Sequence, residues 1–389
     1  MMEQRKPYAI YAITRHGLAI AGRLVAGLRD AGLGDADLFV SERLFDTARA
    51  EAALNGCKSM GLPMGPTLSR TFTAYDCHIF IISVGAVVRM IAPLLKDKKV
   101  DPAVVCVDDA ARFSICVLSG HVGRGNSFTD QVADCLNAQS VVTTASDSIG
   151  TLTVDILGRE MGWVLDDVNR NVTRGCAAVV NAAPVMFVQE AGEPGWWPVG
   201  KPLPPGVSYC SSLDEVDPAS FETLLIVTDR EIRETYPAHW EKAVIYRPRS
   251  LVLGVGCDRA STPEMVERGV RSLLDRHGLS MKCVKAIASI DKKKDETAIL
   301  ELAQTLGCPL RFYPAEELDA VPGIENPSAT VKKFVGTRGV AEPSALLAAG
   351  ASELLVPKQT YTEPGAGRTM TLAVARVPFP LRSLEAVHA

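Results

Sequence analysis

Short continuous apolar runs alternate with polar, glycine-containing segments in the first third of the chain. Runs at residues 79–84, 103–107 and 115–118 have the length of strands, and each is followed by Gly, Ser, Asp or basic residues. Such runs are typical of strands buried in an open α/β sheet, where ligands bind beyond the strand ends. The pattern therefore predicts a functional site where these strands stop.

The residues around this stretch extend the α/β pattern. A strand at 8–13, a helix and a strand at 38–40 form the start of a βαβ unit. Residues 41–75 are predicted to be a surface excursion that ends in a helix, and a helix at 127–138 and a short strand at 140–143 complete the domain. We expect an open, mostly parallel sheet with flanking helices.

From residue 149 the pattern changes, and a small α/β domain is expected up to residue 248. Its predicted elements are helices at 152–161 and 166–181 and strands at 185–189, 224–228 and 243–246. The segment 194–206 contains five prolines and two tryptophans. Because proline cannot donate the hydrogen bonds of a helix or a central strand, this segment is predicted to be an ordered loop or an edge.

A strand that begins at Leu251 opens a separate α/β domain at the C-terminus. Ser261 or Thr262 can cap the following helix, with Pro263 in its first turn. Further strands are predicted at 283–290, 310–313, 353–356 and 370–377, and further helices at 296–306, 328–334 and 342–349. The chain is therefore predicted to be a multi-domain α/β protein, divided into residues 1–148, 149–248 and 249–389.

Composition and charge narrow the classes of function. With 47% hydrophobic and 22% charged residues, the chain has the balance of a globular protein, and its formal net charge of -4 argues against a nucleic-acid surface. Arg89 interrupts the longest apolar run and the N-terminus lacks the apolar core of a signal peptide, so we expect a cytoplasmic protein without a membrane span. The ten cysteines contain no C-x-x-C pair and are expected to be buried reduced thiols rather than disulfides or zinc ligands.

Two turns of the first domain carry candidate chemistry. Ser83 and Gly85 follow one apolar run and precede Arg89, so a tight strand-to-helix turn there would suit an anion. The segment Ser119-Gly-His121-Val-Gly-Arg-Gly-Asn126 places an imidazole, a guanidinium and an amide before the next helix. It is not a G-x-S-x-G nucleophile elbow, and the histidine is either an ordinary structural residue or a substrate contact.

The third domain offers a further candidate site at its strand ends. Gly254 and Gly256 are only part of a dinucleotide fingerprint and no P-loop is present, so we expect neither nucleotide site. The glycines and the following Asp258 and Arg259 form either a structural turn or a close approach to a ligand. The charged run that begins at Asp291 is either a solvated helix start or a contribution to the same crevice.

Several motifs together resemble the cobalamin-biosynthesis protein G family, the cobalt-precorrin-5A hydrolases of the anaerobic pathway. In the first domain these are ISVGAVVRMIAPLLKDKKVDPAVV, LSGHVGRGN and VVTTASD. In the last domain they are GVGCDR, ASIDKKKDE, FYPAEEL, GVAEPSALLAAG and LLVPK. The motifs occur in the expected order and span nearly the whole chain.

The resemblance implies a hydrolase acting on a carbon–carbon bond. Such enzymes open the δ-lactone of a cobalt-containing contracted macrocycle with water and release acetaldehyde, giving cobalt-precorrin-5B. No motif implies a cofactor. In the resemblance the cobalt belongs to the anionic substrate, which agrees with the absence of a metal-binding motif in the chain. Transient contacts with neighbouring pathway enzymes and a homodimer are further expectations, whereas nucleic-acid and membrane partners are not expected. A non-catalytic corrinoid carrier is the alternative function.

A macrocycle with many carboxylates requires cations and helix N-termini, and lactone opening requires an activated water and a stabilised oxyanion. The expected catalytic residues are His121, as base or proton shuttle, with Asn126 and Ser119. The expected substrate-binding residues are Ser83, Gly85, Arg89, Lys98, Gly120, Gly123, Arg124, Gly254, Gly256, Asp258, Arg259, Asp291 and Lys293. Two positions fit the substrate: within the N-terminal domain, or between the N- and C-terminal domains.

Overall fold

A computed structural model describes residues 5–50, 54, 56–145, 149–198, 200–259, 261–363 and 367–379 of the chain. The chain divides into two compact units, Met1–Ile156 and Leu157–Ala389. The described residues form three sheets, one in the first unit and two in the second. The multi-domain α/β class is confirmed, and the domain boundaries after residues 148 and 248 stay predictions.

The first unit contains a seven-stranded sheet among its described residues, in the order β3-β2-β1-β4-β5-β6-β7. The strands are β1 Lys6–Ala12, β2 Ala36–Ser41, β3 Lys58–Met60, β4 Tyr75–Ile81, β5 Ala103–Val107, β6 Phe113–Leu118 and β7 Gln139–Val141. The helices are α1 Arg15–Asp30, α2 Glu42–Ala50, α3 Gly65–Thr71, α4 Val84–Ile91 and α5 Gly125–Leu136. Except for the β5–β6 pair, neighbouring strands are parallel, which confirms the predicted sheet type.

Two apolar layers cover this sheet. Helix α1 begins after Thr14, whose hydroxyl accepts a hydrogen bond from the Gly17 N–H at 2.9 Å, and it buries Leu18, Leu24 and Leu28 on one face. Helices α2 and α5 contribute to the same core, whereas α3 and α4 contribute to the core on the opposite face. The short elements α2, β3 and α3 occupy much of the segment 41–75, where a surface excursion was predicted.

The direction of β6 overturns one expectation about the site. Strand β6 is antiparallel to β5, with Leu118 opposite Val104 and Ser114 opposite Val107. The carboxyl end of β6 therefore lies at the edge of the sheet where β5 begins, whereas β4 and β5 end at the other edge. The prediction that all three apolar runs deliver their loops to one crevice is wrong.

The second unit contains two five-stranded sheets among its described residues, ordered β10-β9-β11-β12-β8 and β15-β14-β13-β17-β16. The strands of the former are β8 Val164–Leu165, β9 Val185–Gln189, β10 Val207–Cys210, β11 Thr223–Val227 and β12 Ala243–Arg247. Those of the latter are β13 Leu251–Cys257, β14 Val284–Ile290, β15 Leu310–Tyr313, β16 Val356–Thr362 and β17 Thr369–Arg376. The helices are α6 Val172–Val180, α7 Pro237–Lys242, α8 Pro263–Arg276, α9 Thr297–Leu306, α10 Ala315–Ala320, α11 Ala329–Val335 and α12 Ala341–Ala349.

Three elements predicted after residue 151 are wrong. The helix expected at 152–161 is a series of turns and a single 3-10 turn, because Gly158 and Gly162 adopt left-handed φ values of 74° and 78° on either side of it. The helix expected from residue 166 begins only after Asn171, which is left-handed with a φ of 54°. The strand expected at 353–356 begins at Val356 and continues to Thr362 along β17.

The described residues of the tryptophan and proline segment, 194–198 and 200–206, form an ordered loop, as predicted. The Trp196 indole N–H donates to the Gln189 side-chain oxygen at 2.8 Å, and its ring stacks on Phe187 with centroids 3.9 Å apart. The Trp197 N–H donates to the carbonyl oxygens of Lys201 and Pro202 at 3.1 Å. Both indoles are buried, so this loop completes a core rather than presenting aromatic rings to a ligand.

The cysteines are confirmed as free thiols. All ten are unbridged, and four of them are buried, namely Cys77, Cys106, Cys210 and Cys283. Burial raises the pKa of the Cys106 thiol to about 11, so this thiol is protonated at neutral pH. The other six are half-buried, less enclosed than expected.

Candidate functional site

The loop at residues 119–126 connects β6 to α5 and folds tightly on itself. The Gly125 N–H donates to the Ser119 carbonyl at 2.9 Å, and the Asn126 N–H donates to the Gly120 carbonyl at 3.0 Å. The Asn126 backbone donor is thereby engaged within the loop, which argues against its use as an oxyanion donor. The loop instead supplies side chains in fixed positions.

Glycine is required in this loop because the loop packs against itself. A Cβ atom on Gly120 would lie 2.7 Å from the Asn126 side-chain oxygen, and one on Gly123 would lie 2.5 Å from the Ser119 Cβ. Both distances are shorter than real Cβ contacts. The two glycines expected to bind substrate therefore have a structural role in holding the loop closed.

The His121 imidazole contacts the carboxylate of Asp155. Its Nδ1 lies 3.1 Å from Oδ1 and 3.3 Å from Oδ2 of Asp155. The two side chains are 17% and 18% exposed, so the pair is largely shielded yet still reached by solvent. A histidine held in this way can accept and return a proton, which is the role expected of a general base.

Asp155 is the functional candidate that the sequence did not reveal. It lies 34 residues after His121, and no spacing motif connects the two residues. The helix wrongly predicted at 152–161 also gave no reason to expect this contact, because an aspartate on an exposed helix face has no defined partner. Only the turns observed there bring its carboxylate to the imidazole.

The other two residues expected to be catalytic lie beside His121 but make different contacts. The Ser119 hydroxyl donates a hydrogen bond to the Asp101 carbonyl oxygen at 3.0 Å. A backbone carbonyl cannot act as a base, so this contact does not activate Ser119 as a nucleophile. The Asn126 amide donates to the Thr144 hydroxyl at 2.9 Å. The geometry favours His121 over Ser119 as the reactive group of this loop.

Two of the expected cations share this edge of the sheet. The Arg124 guanidinium lies 5.5 Å above the Phe128 ring, at the start of α5. Lys98 is exposed in the segment that leads into β5, where the Asp101 carboxylate accepts the Lys96 N–H at 3.0 and 3.2 Å. Arg124, within the His121 loop, and Lys98, before β5, therefore place two cations at the same edge of the sheet as His121.

The residues of the other predicted turn lie at the opposite edge. Ser83 precedes α4, and its carbonyl accepts the Ala86 N–H at 3.0 Å. The Arg89 guanidinium donates back to the Gly85 carbonyl at 3.0 Å and is exposed. A seven-residue strand such as β4 spans about 20 Å, so the structure does not bring Ser83, Gly85 and Arg89 to His121.

In the C-terminal sheet the predicted charged residues do converge. Strands β13 and β14 are parallel, so Arg259 and the segment from Asp291 follow strand ends at one edge. Arg259 donates to the Asp295 carboxylate at 3.2 Å, which lowers the pKa of that carboxyl, and to the Lys292 carbonyl at 3.1 Å. The Asp258 carboxylate accepts the Thr369 N–H at 2.8 Å. These contacts hold the edge together.

Lys293 lies deeper at the same edge. Its ammonium group, 14% exposed, pairs at 2.8 Å with the Glu296 carboxylate, which is 6% exposed. Burial raises the pKa of the nearby Cys257 thiol although Lys293 opposes the effect, so that thiol is not poised as a nucleophile.

The two glycines of β13 serve packing. A Cβ on Gly254 would lie 1.8 Å from the Ala341 carbonyl oxygen at the start of α12, and one on Gly256 would lie 2.7 Å from the Thr371 hydroxyl. The groups that approach these glycines closely are therefore the Ala341 backbone and the Thr371 side chain. The expectation that their missing side chains make room for a ligand is not supported by this geometry.

Glu342 in the same region is a buried acid that sequence reasoning did not single out. Its carboxylate accepts the Asn326 N–H and side-chain amide at 2.9 and 2.8 Å and the Lys358 N–H at 2.9 Å. Burial alone would raise its pKa, but these hydrogen bonds lower it below the usual value. Glu342 therefore anchors two loops as a carboxylate.

Neither a metal cluster nor a membrane helix is found in the part of the chain that the structure describes. No group of three or more His, Cys, Asp or Glu side chains could hold a metal ion there. No helix among the same residues is long and apolar enough to span a bilayer.

Comparison with known proteins places all three regions in one family. Family models described as the cobalamin synthesis G N-terminal region, the cobalamin biosynthesis central region and the cobalamin synthesis G C-terminus match residues 66–147, 152–248 and 251–375. Protein CobE from Sinorhizobium sp is 33% identical over 139 residues, which are 35% of this chain and 90% of that protein.

Two relatives match almost the full length. A cobalt-precorrin-5A hydrolase from Priestia megaterium is 40% identical over 377 residues, which cover 97% of this chain and 96% of that protein. A cobalt-precorrin-5A hydrolase from Salmonella typhimurium is 30% identical over 373 residues, covering 94% and 97%. These matches confirm the resemblance found in the sequence motifs, and the chain belongs to the cobalamin synthesis G family.

Proposed function

We propose that this protein is a cobalt-precorrin-5A hydrolase of cobalamin biosynthesis, with its reaction centre at the His121 loop. The observation that carries the location is the contact of His121 with Asp155 at 3.1 Å. Arg124 belongs to the same loop, and Lys98 precedes β5 at the same edge of the sheet. The full-length relatives of that name support the substrate class. Cobalt enters with the substrate, and we propose no additional cofactor.

The reaction begins with attack of water on the lactone carbonyl. His121 takes one proton from this water as its oxygen bonds to the acyl carbon, and a tetrahedral oxyanion forms. The acyl–oxygen bond then breaks, which leaves a carboxylic acid on the macrocycle and an alkoxide on the bridging carbon that carries the methyl group. One molecule of water is consumed in this step.

The second step breaks the carbon–carbon bond. The alkoxide collapses to a carbonyl, the electron pair of the bond to the macrocycle passes into the ring, and acetaldehyde leaves. No oxidant or reductant is required, because the ring receives the electron pair that the departing carbon gives up. The protonated His121 can return its proton to the ring or to solvent.

Arg124 and Lys98 bind the peripheral carboxylates of the ring in this proposal. Lys98 precedes β5 and Arg124 follows β6, at the same edge of the sheet as His121. Both side chains are cations that can form ion pairs with acetate or propionate groups. Arg259 and Lys293 at the edge of the C-terminal sheet are a second pair of cations for such groups, although each already pairs with an acidic residue.

Turnover distinguishes this function from that of a corrinoid carrier. Purified protein is incubated with excess cobalt-precorrin-5A, acetaldehyde is trapped as a hydrazone, and the mass of the ring is determined. A hydrolase releases many acetaldehyde molecules per protein molecule, with loss of the two-carbon unit from the ring. A change in the spectrum of the bound ring without acetaldehyde would overturn the proposal and favour the carrier.

A further inference from the structure

We propose that Asp155 is the positioning residue for His121, and that it selects the imidazole tautomer used in the reaction. In this arrangement His121 carries its hydrogen on Nδ1 and donates it to Asp155, so Nε2 is the basic nitrogen. The inference rests on the proposed function for its consequence in catalysis. The tautomer itself is a property of the protein without substrate.

The geometry fits one donor facing a carboxylate. The hydrogen bond joins Nδ1 of His121 to Oδ2 of Asp155 at 3.3 Å, and Oδ1, at 3.1 Å, lies within ion-pair distance but makes no hydrogen bond to the residues that the structure describes. A carboxylate only accepts hydrogen bonds, so the nitrogen that faces it must carry the hydrogen. Which nitrogen of a histidine is protonated is set by the partner of the other nitrogen.

The loop that carries His121 and the turn that carries Asp155 are each fixed by their own hydrogen bonds and packing. The Arg124 N–H donates to the His121 carbonyl at 2.9 Å and closes the loop around the imidazole. On the other side, Leu152 and Val154 are buried, and the Ile156 N–H donates to the Thr153 carbonyl at 3.0 Å in a turn around Asp155. The contact therefore does not depend on a long flexible side chain reaching across solvent.

A nearby carboxylate also favours the charged imidazolium that forms when His121 takes a proton. The attraction is strongest where solvent is limited, and both side chains are less than one-fifth exposed. Asp155 thus lowers the cost of proton transfer by acting through His121. Its loss is expected to affect the chemical step more than substrate binding.

The tautomer can be read by nitrogen NMR on the full-length protein without substrate. The protein is labelled with 15N-histidine, and the ring signals of His121 are identified as those missing from a His121→Gln spectrum. At a pH where the ring is neutral, the wild type is expected to show a protonated Nδ1 and an unprotonated Nε2. Asp155→Ala is expected to shift the ring toward the tautomer with hydrogen on Nε2.

The control is Asp134→Asn, which removes the same charge from an exposed position on α5. Its His121 signals should match the wild type. Wild-type protein with hydrogen on Nε2, or an Asp155→Ala spectrum identical to wild type, would overturn the inference. Neither result depends on whether the protein turns over cobalt-precorrin-5A, so failure of the proposed function remains distinguishable.

Kinetics then test the consequence for catalysis. Asp155→Asn keeps the size of the side chain and is expected to lower kcat about 10²–10⁴-fold with KM changed less than about three-fold. The acidic limb of its pH–rate profile should move to lower pH, because the imidazolium has lost its negative partner. Asp155→Glu should restore part of kcat if a carboxylate is what matters. An unchanged kcat and pH profile in a folded Asp155→Asn protein would contradict the positioning role.

Discussion

Arg376 forms a bidentate ion pair with Asp229, a residue whose side chain is completely buried. Nε and Nη2 of the guanidinium lie 2.8 and 2.7 Å from the two carboxylate oxygens, and the Ser250 hydroxyl donates to the same carboxylate at 2.8 Å. Asp229 follows β11 of one sheet and Arg376 ends β17 of the other. The pair therefore joins the two sheets of the second unit.

Removal of the Asp229 carboxylate should destabilise this unit strongly. Asp229→Ala leaves Arg376 and Ser250 without their acceptor. Because the Arg376 side chain is 35% exposed, the cost should lie below that of leaving a fully buried charge, at about 2–3 kcal/mol. The free energy of unfolding can be followed in urea by tryptophan fluorescence, because Trp163, Trp196, Trp197 and Trp240 all lie in this unit.

The control for this measurement is Glu267→Gln, which breaks the exposed pair with Arg271 on helix α8. Its unfolding midpoint should remain close to that of the wild type, since exposed pairs contribute little. Equal midpoints for wild type and Asp229→Ala would show that the buried pair does not stabilise the unit.

The buried His78 should make the first unit less stable in mild acid. Its ring is fully buried and contacts the Tyr11 hydroxyl and the Phe72 carbonyl at 3.0 Å. Burial lowers its pKa to about 4, below the value of about 6.5 for an exposed histidine. Between pH values of about 4 and about 6.5, the unfolded state therefore binds a proton at His78 that the folded state does not bind. Stability should fall by about 3 kcal/mol as the pH decreases from about 6.5 to about 4.

Hydrogen exchange of peptides that cover β1 and β4 measures this effect in the unit that contains His78. His78→Phe should flatten the pH dependence of their protection, whatever its effect on absolute stability. His16→Gln, a change at an exposed position, should retain the wild-type dependence. The same pH dependence in His78→Phe and wild type would assign the effect to other groups.

Gly254→Ala tests the packing of β13 against α12. Because the new Cβ would lie 1.8 Å from the Ala341 carbonyl oxygen, strand and helix must separate, and the free energy of unfolding should fall by about 3 kcal/mol or more. Gly339→Ala is the matched control, since its Cβ would make only ordinary contacts at 3.7 and 3.9 Å. Tryptophan fluorescence in urea compares the two, and similar midpoints would contradict the close approach.

Arg124 should contribute to substrate binding through charge. Arg124→Gln is expected to raise KM for cobalt-precorrin-5A roughly ten-fold with a smaller change in kcat, because one charged hydrogen bond to a carboxylate is lost. Arg112→Gln removes an exposed guanidinium at the opposite edge of the same sheet and should leave both constants unchanged. Equal effects of the two substitutions would indicate general charge attraction rather than a site at the His121 loop.

Much of the fold could be predicted from local pattern. The cap at Thr262, where the hydroxyl accepts the Met265 N–H at 3.3 Å, and the strand at Leu310–Tyr313 follow from signals within a few residues. The direction of β6 also has a local signal in the sequence. Residues 108–112 are too few for a parallel crossover, which needs about a dozen, so β5 and β6 could only pair antiparallel.

The site depended on contacts that local pattern does not encode. His121 could be chosen from its glycine-rich loop, but its contact with Asp155 joins residues 34 positions apart across turns that were predicted as a helix. Arg89 and Arg124 are equally plausible cations in the sequence, and only the antiparallel direction of β6 places them at opposite edges of the sheet. Strand pairing and contacts between residues distant in sequence therefore determine which of the candidate residues lie together.

The rate of acetaldehyde release by His121→Gln, measured beside the wild type with saturating cobalt-precorrin-5A, tests the location of the reaction most directly. The proposal predicts that the variant remains folded, still shifts the spectrum of the bound ring, and releases acetaldehyde at least about 10²-fold more slowly. Release at the wild-type rate by His121→Gln would contradict it and move the chemistry away from this loop.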